Sequence, residues 1–509
     1  MLNDIKNLYI LKLIFQNVRN KRKLKIIKCN KKIQNRLNIT KEDFKVYESL
    51  KELNDYFYLD IEDIDIKELD LHQRNIREGI KYLSGNIFKE LKILNLSNNK
   101  INDLTPLENY KKLREINLNS NEIIHLEILE KVEFDKLEKL YLGSNLISDI
   151  SVFQKTNFNE LKELDLGSNL ISDITMIKNF NLKDLQLFNL SHNNISDINV
   201  LEHINFKNLK SLNLSRNKIT NISVFNNVKL EALKDLDLSN NKISDLCVIN
   251  SDKLELLNLS GNKLSDIKIF EAFKLKGLKD LNLYYNEISD IKVLEKVKFE
   301  KLESLNLCMN HIEDIDVLEK TNFKELKHLD LAYNKISKIN VLENVKYEKL
   351  EILRLGNNKI SDIKVFEKVN FRKLKQFDLG KNKITDINVL KKVKFEKLEM
   401  LYLEENEITD IKVLKSVNFK ALQILKLNQN KISDINILEK VDFKKLEKLY
   451  LDYNQISDIS VFEKVNFKKL KVLHLQFNKF SDTSPIERAH FEELEDSILE
   501  AGYNPNEYY

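Results

Sequence analysis

From about residue 90 to residue 480 the apolar positions fall in one order, over and over. Two leucines stand one residue apart, an asparagine follows three positions on, and an isoleucine lies two beyond it. This LxLxxNxI string places its asparagine seventeen times between Asn99 and Asn478. Fourteen of the sixteen spacings are 24 residues; the first is 22, and the one from Asn241 to Asn262 is 21. A degenerate copy, Leu69–Ile76, precedes them with Arg74 in the asparagine slot. A fixed period of this length means one stacked unit repeated along a solenoid.

Each column of the repeat predicts a local structure. The leucine pair, such as Leu305 and Leu307, alternates with outward residues as a short strand with one buried face does. Stacked in register, these strands give a parallel sheet. The asparagine comes where the chain turns, and its carboxamide can both donate to and accept from peptide groups of its own and adjacent turns. Four residues later an aspartate fills fourteen of seventeen repeats, the exceptions being His125, Asn221 and Lys338. It suits the cap of a short helix on the far side of the sheet. Thirteen past the asparagine stands a large apolar residue, for example Phe134, Phe299, Phe323 and Phe467, predicting a second buried spine under those helices. The 21-residue repeat lacks it, so a change of curvature is expected near residues 245–260.

The unit resembles a leucine-rich repeat over roughly residues 60–490. LSNNKISDL and LDYNQISDI are most similar to the variety in bacterial internalins and in a regulatory subunit of protein phosphatase 1. The resemblance implies an α/β solenoid: an arc with a concave parallel sheet and short convex helices, about seventeen repeats of 24 residues. Residues 1–58 are expected to be a helical N-terminal region, 59–483 the solenoid, and 484–509 a C-terminal capping helix and tail. Ser484-Pro485-Ile486-Glu487 predicts that helix's start, with proline at its first position, a run through about Ala501, and Gly502 as the stop.

The N-terminal region shows helical faces at Ile5, Leu8, Leu11, Ile14, Phe15 and Val18, and again at Leu24, Ile27, Ile33 and Leu37. One reading is a cap on the solenoid. The other rests on Tyr9–Leu37, which resembles an F-box without its Leu-Pro opening or its tryptophan. That resemblance implies a ubiquitin-ligase adaptor docked at residues 5–40 and a substrate held by the repeats. Residues 19–36 carry nine basic side chains and no acid, which fits a solvated helix face, a phosphate-contacting patch or a nuclear-localisation signal.

Composition narrows the function classes. The charges nearly balance, 83 Lys plus Arg against 79 Asp plus Glu, so nothing draws the chain generally to nucleic acid. Cys29, Cys247 and Cys308 lie too far apart in sequence for a disulfide framework and fit a reducing compartment. No run is long enough to span a membrane and no signal peptide is recognisable, so a cytoplasmic monomer is expected, with a nuclear location as the alternative. No P-loop, GxSxG, HExxH or paired CxxC occurs, so neither an enzyme, a cofactor nor a metal site is expected.

What remains is binding. The outward strand positions, four, two and one before each asparagine, are small and polar in the first half, as at Asn95, Ser97 and Asp165. From the ninth repeat they become bulky: Tyr284, Tyr285, Met309, Tyr333, Arg354, Tyr402, Tyr450, Tyr453, His474 and Phe477. Interfaces concentrate these residue types, although aromatics also favour strands for packing reasons alone. The expectation is a protein or peptide held on this surface by a non-enzymatic scaffold. A ubiquitin-ligase substrate receptor and a phosphatase regulatory subunit are the alternatives.

Overall fold

The computed structural model describes residues 30–499 except 62, 85, 86, 133, 157, 181 and 250, together with Leu8 and residues 10–12. Of the F-box-like segment, Tyr9 and residues 13–29 therefore lie outside the described residues, as do Ala501 and Gly502. The chain forms two compact units, residues 1–219 with 227–233, and residues 220–226 with 234–509.

In the first unit, helices α1 (Lys31–Leu37) and α2 (Lys41–Phe57) precede seven parallel three-residue strands, β1 (Glu68–Asp70) to β7 (Ser211–Asn213). The end of α2 lies on the first repeat turn: the Tyr56 and Tyr82 rings are 4.8 Å apart, and Tyr56 fills the space a side chain at Gly79 would need. Arg74, in the asparagine slot, donates to the Phe57 carbonyl at 3.5 Å.

The second unit carries β8 (Asp235–Asp237) to β19 (Asp496–Ile498), again one short strand per repeat. Pairing is parallel and in register, so that Leu281, Leu305 and Leu329 stand side by side under the sheet. The expected asparagine ladder is present, and all seventeen are buried. Asn310 is typical. Its Nδ2 donates to the carbonyls of Leu283 in the preceding repeat and Leu307 in its own, at 3.0 and 3.1 Å, and its Oδ1 accepts from the Ile288 N–H at 3.0 Å. One side chain thus reaches three backbone groups of the turn, and each of the two carbonyls also accepts from a neighbouring ladder asparagine, Asn286 or Asn334.

Behind the ladder the repeat closes with single 3-10 turns such as Lys292–Glu295 and Asp316–Lys320. The aspartate column is not the cap expected from sequence. Ile291 holds the cap position, and Asp290, one residue earlier, accepts from the Lys292 N–H at 2.9 Å. A 24-residue repeat leaves about one turn here, and the tighter 3-10 geometry fits it. The second spine is as predicted: Phe134, Phe299, Phe323 and Phe467 are all buried. In the 21-residue repeat, buried Ser251 takes the spine position; among the described residues no helical turn forms there. The Val248 N–H is satisfied by Asn226 Oδ1 at 3.1 Å.

The C-terminal expectation needs correction. The helix α4 spans only Ser484–Arg488 (α3 being the short Ile128–Lys131 turn), and Ala489 is extended. The chain then completes another turn of the repeat, and Asp496–Ile498 pairs parallel with β18 (Val472–His474). Phe491 and Leu494 continue the apolar columns, so the repeat pattern overrides the helix-start signal. This strand is exposed at all three positions.

Candidate functional site

The outward face of the second unit's sheet is built by three columns. Four positions before each ladder asparagine, the last strand residue is usually Asn or Asp, and its side chain has a structural task. Asn282, Asn306 and Asp330 accept from the N–H two residues on, at Tyr284, Cys308 and Ala332, each at 3.0 Å. Arg354, Tyr402, Lys426, Tyr450 and His474 replace this residue in five of the next six repeats. These repeats give up a recurring backbone bond to display a larger side chain.

One position before the asparagine, the backbone is left-handed in every repeat. Gly261 serves once, with φ +65°. Elsewhere the slot holds Asn, Ser, Gln, His or a charged residue, but Tyr285, Met309, Tyr333, Tyr453 and Phe477 occupy it with φ between 52° and 56°. A bulky L-residue is disfavoured there. Tyr285 is 59% exposed and Tyr333 46% exposed.

The sequence-predicted residues divide into two groups. Just after β10 (Asp280–Asn282), Tyr284 and Tyr285 lie with ring centroids 6.1 Å apart. Met309 and Tyr333, after β11 (Ser304–Asn306) and β12 (His328–Asp330), continue the Tyr285 column. On β15 (Met400–Tyr402), β16 (Ile424–Lys426), β17 (Lys448–Tyr450) and β18, the Lys426 ammonium lies 4.7 Å from the Tyr402 ring and 5.8 Å from the Tyr450 ring. Tyr450 meets His474 edge to face at 4.9 Å, and Tyr453 stacks on Phe477 at 4.2 Å. Arg354 belongs to neither group. It is engaged on β13 (Ile352–Arg354) with Asp330 at 3.2 Å and Gln376 at 3.3 Å. The expected continuous aromatic surface is therefore interrupted by Gly356, Asn357, Gly380, Lys381 and Glu405.

Sequence reasoning missed Lys426 and a set of acids beside it. Asp378, Glu404 and Asp452 form no ion pair among the described residues, whereas Glu405 pairs with Lys381 at 3.0 Å. Burial pushes all three carboxyls above their ordinary range. The signal was present in Gly356 and Gly380. A methyl group on either would collide with the carboxylate of Asp378 or Glu404, so the glycines make room for those acids. A carboxyl whose pKa is raised by folding opposes folding once ionised, and this cost vanishes as pH falls below the unfolded value. Glu404→Gln, Asp378→Asn and Asp452→Asn should each raise the thermal unfolding midpoint at neutral pH and match the parent near about pH 3. Scanning calorimetry at the two pH values checks this; a parent that is more stable at neutral pH contradicts it.

Nothing in this face suggests bond-making chemistry, and no group of three or more metal-ligating side chains occurs among the described residues. Cys247 and Cys308 are buried, which pushes their thiols up to about 11 and about 12. No described helix is long and apolar enough to cross a membrane.

Short parallel strands, a buried asparagine ladder and a one-turn return define a leucine-rich-repeat solenoid. Family models agree: "Leucine Rich repeats (2 copies)" matches residues 135–179, 252–296, 300–344, 348–392 and 444–488, and "Leucine rich repeat" matches 207–264 and 396–456. The chain belongs to the leucine-rich-repeat family. Solved structures share the fold. A leucine-rich-repeat protein of Leptospira interrogans is 21% identical with a TM-score of 0.53, over 87% of this chain and 97% of that one. The functional domain of InlJ from Listeria monocytogenes is 20% identical with a TM-score of 0.52, over 83% and 78%. The plant peptide hormone receptor RGFR1, solved in complex with RGF2, is 18% identical with a TM-score of 0.56, over 85% and 80%. A search of curated proteins gave no match.

Proposed function

We propose that this protein is a non-enzymatic scaffold that holds a protein or peptide partner on the outward sheet face of its second unit. The left-handed column carries the argument. High strand propensity explains an aromatic within a strand, but Tyr285, Met309, Tyr333, Tyr453 and Phe477 stand after the strand, where that preference gives nothing. The left-handed turn is common to every repeat, so what distinguishes these five is the bulky side chain placed in it, and Tyr, Met and Phe within reach of solvent are what an interface buries. The fold neighbour solved with a peptide hormone is consistent with such a use of this architecture.

The packing of Tyr56, Phe57 and Arg74 at the first repeat favours a capping role for the N-terminal helices over adaptor docking. Affinity capture from the source organism tests the reading, using the full chain and a form lacking residues 1–55. The same partners are expected with both forms. Cullin-ligase components captured by the full chain and lost with the deletion would instead make the N-terminus the docking module.

A further inference from the structure

The scaffold reading leaves the chemistry of the partner open, and the acids described above address it. Glu404, Asn428, Asp452 and Gln476 occupy one slot, two before the ladder asparagine, in four consecutive repeats. Neighbouring strands place such residues about 4.8 Å apart. Three of the four side chains carry a buried oxygen with no hydrogen-bond partner: Glu404 Oε2, Asn428 Oδ1 and Gln476 Oε1. The fourth, Asp452, is only 7% exposed and forms no ion pair among the described residues. Asp378, on β14 (Gln376–Asp378), likewise forms none. The face therefore presents buried acceptors without donors and carboxylates outside any ion pair, in a chain whose net charge is +4.

Resting on the scaffold reading, we infer that the sheet face of β14–β18 seats a basic segment of the partner, whose arginine or lysine side chains reach Asp378, Glu404 and Asp452. A guanidinium or ammonium is donor-only and charged, and so answers both deficits at once. Glu404, Asn428 and Gln476 are half-buried as whole side chains, so rotation about their own bonds turns the covered oxygens toward an incoming donor. Tyr402, Tyr450 and the Tyr453–Phe477 stack supply flat faces beside them, on which a guanidinium stacks. Lys426, held over the two tyrosine rings, and Lys448, on the same side of β17, are the cations of this face without a carboxylate salt bridge among the described residues. Two positive charges against three carboxylates leave the surface net acidic.

The test is selection of a random peptide display library on the full-length protein, followed by affinity measurement on the parent and on a triple variant, Asp378→Asn with Glu404→Gln and Asp452→Asn. Asparagine already fills the Asp378 slot at Asn282 and Asn306, so the variant keeps the Asx bond and the fold. The selected peptides are expected to carry clustered Arg or Lys and to lose roughly tenfold or more in affinity on the triple variant. Enrichment of acidic or uncharged peptides overturns the inference. Basic peptides that bind parent and variant equally also overturn it. Peptides sensitive to Tyr402→Ala and Tyr450→Ala but not to the triple variant overturn the basic segment while leaving the scaffold reading intact. Peptides indifferent to both sets overturn both.

Discussion

Replacing Asn310 by leucine is expected to cost about 3–5 kcal/mol of stability, as much as a large core truncation. The side chain is close in volume, so the loss is not a cavity. It is the loss of three buried bonds: the Ile288 N–H loses its partner, and the carbonyls of Leu283 and Leu307 keep only the Nδ2 of Asn286 and of Asn334. The orphaned N–H carries a desolvation penalty of about 1–3 kcal/mol, and each of the other two lost bonds adds about 0.5–1.5 kcal/mol. Two of the groups belong to the preceding repeat, so the damage falls on the interface between repeats, which is where a stacked array stores its cooperativity. Asn306→Ala, four residues away, removes only one bond at the solvent edge, to the Cys308 N–H, and should cost about 1 kcal/mol. Urea unfolding followed by circular dichroism distinguishes them. Equal midpoints for the two variants would show that the ladder is decoration and not the spine of the fold.

The second large effect is on binding. Tyr284, Tyr333, Tyr402 and Tyr450 changed together to alanine should weaken partner binding about 100-fold or more while the fold survives. Tyr284 and Tyr333 are 39% and 46% exposed and contribute little to the core. Tyr402 and Tyr450 lie on the two sides of Lys426, whose ammonium is 4.7 and 5.8 Å from their rings. Aromatic anchors of an interface commonly contribute about 2 kcal/mol or more each, and not additively, so four removed from both groups leave a partner little to hold. Tyr333→Ala also relieves a bulky side chain at a positive φ of 53°, which limits any loss of stability.

Much of this structure was legible in sequence because each repeat states the same pattern seventeen times. The strand, the buried asparagine and the phenylalanine spine each follow from one residue type in one column. What failed was local. The Asp column was read as a helix cap, but so short a return closes as a 3-10 turn, and Asp290 bonds from one residue outside it. Ser484-Pro485 promised a long final helix, yet Phe491 and Leu494 kept the repeat register and drew the chain back to the sheet. On the outward face the large residues could be listed, but not their conformation. A tyrosine at position 285 looks the same in sequence whether it extends a strand or sits in left-handed backbone. Lys426 and Asp452 were hidden because each slot of the column holds polar residues in most repeats, and only the pairing of neighbours shows which charges lack partners.

The most direct test of the scaffold reading compares the dissociation constant of the captured partner for the parent, for the four-tyrosine variant, and for a variant carrying alanine at Lys364, Lys412 and Ser460 in 3-10 turns on the opposite side of the repeats. Binding that fails with the tyrosine set and survives in the other variant is the result expected for a partner on the sheet face. Unchanged affinity in the tyrosine variant, or loss confined to the variant of the 3-10 turns, would place the partner elsewhere and contradict the account.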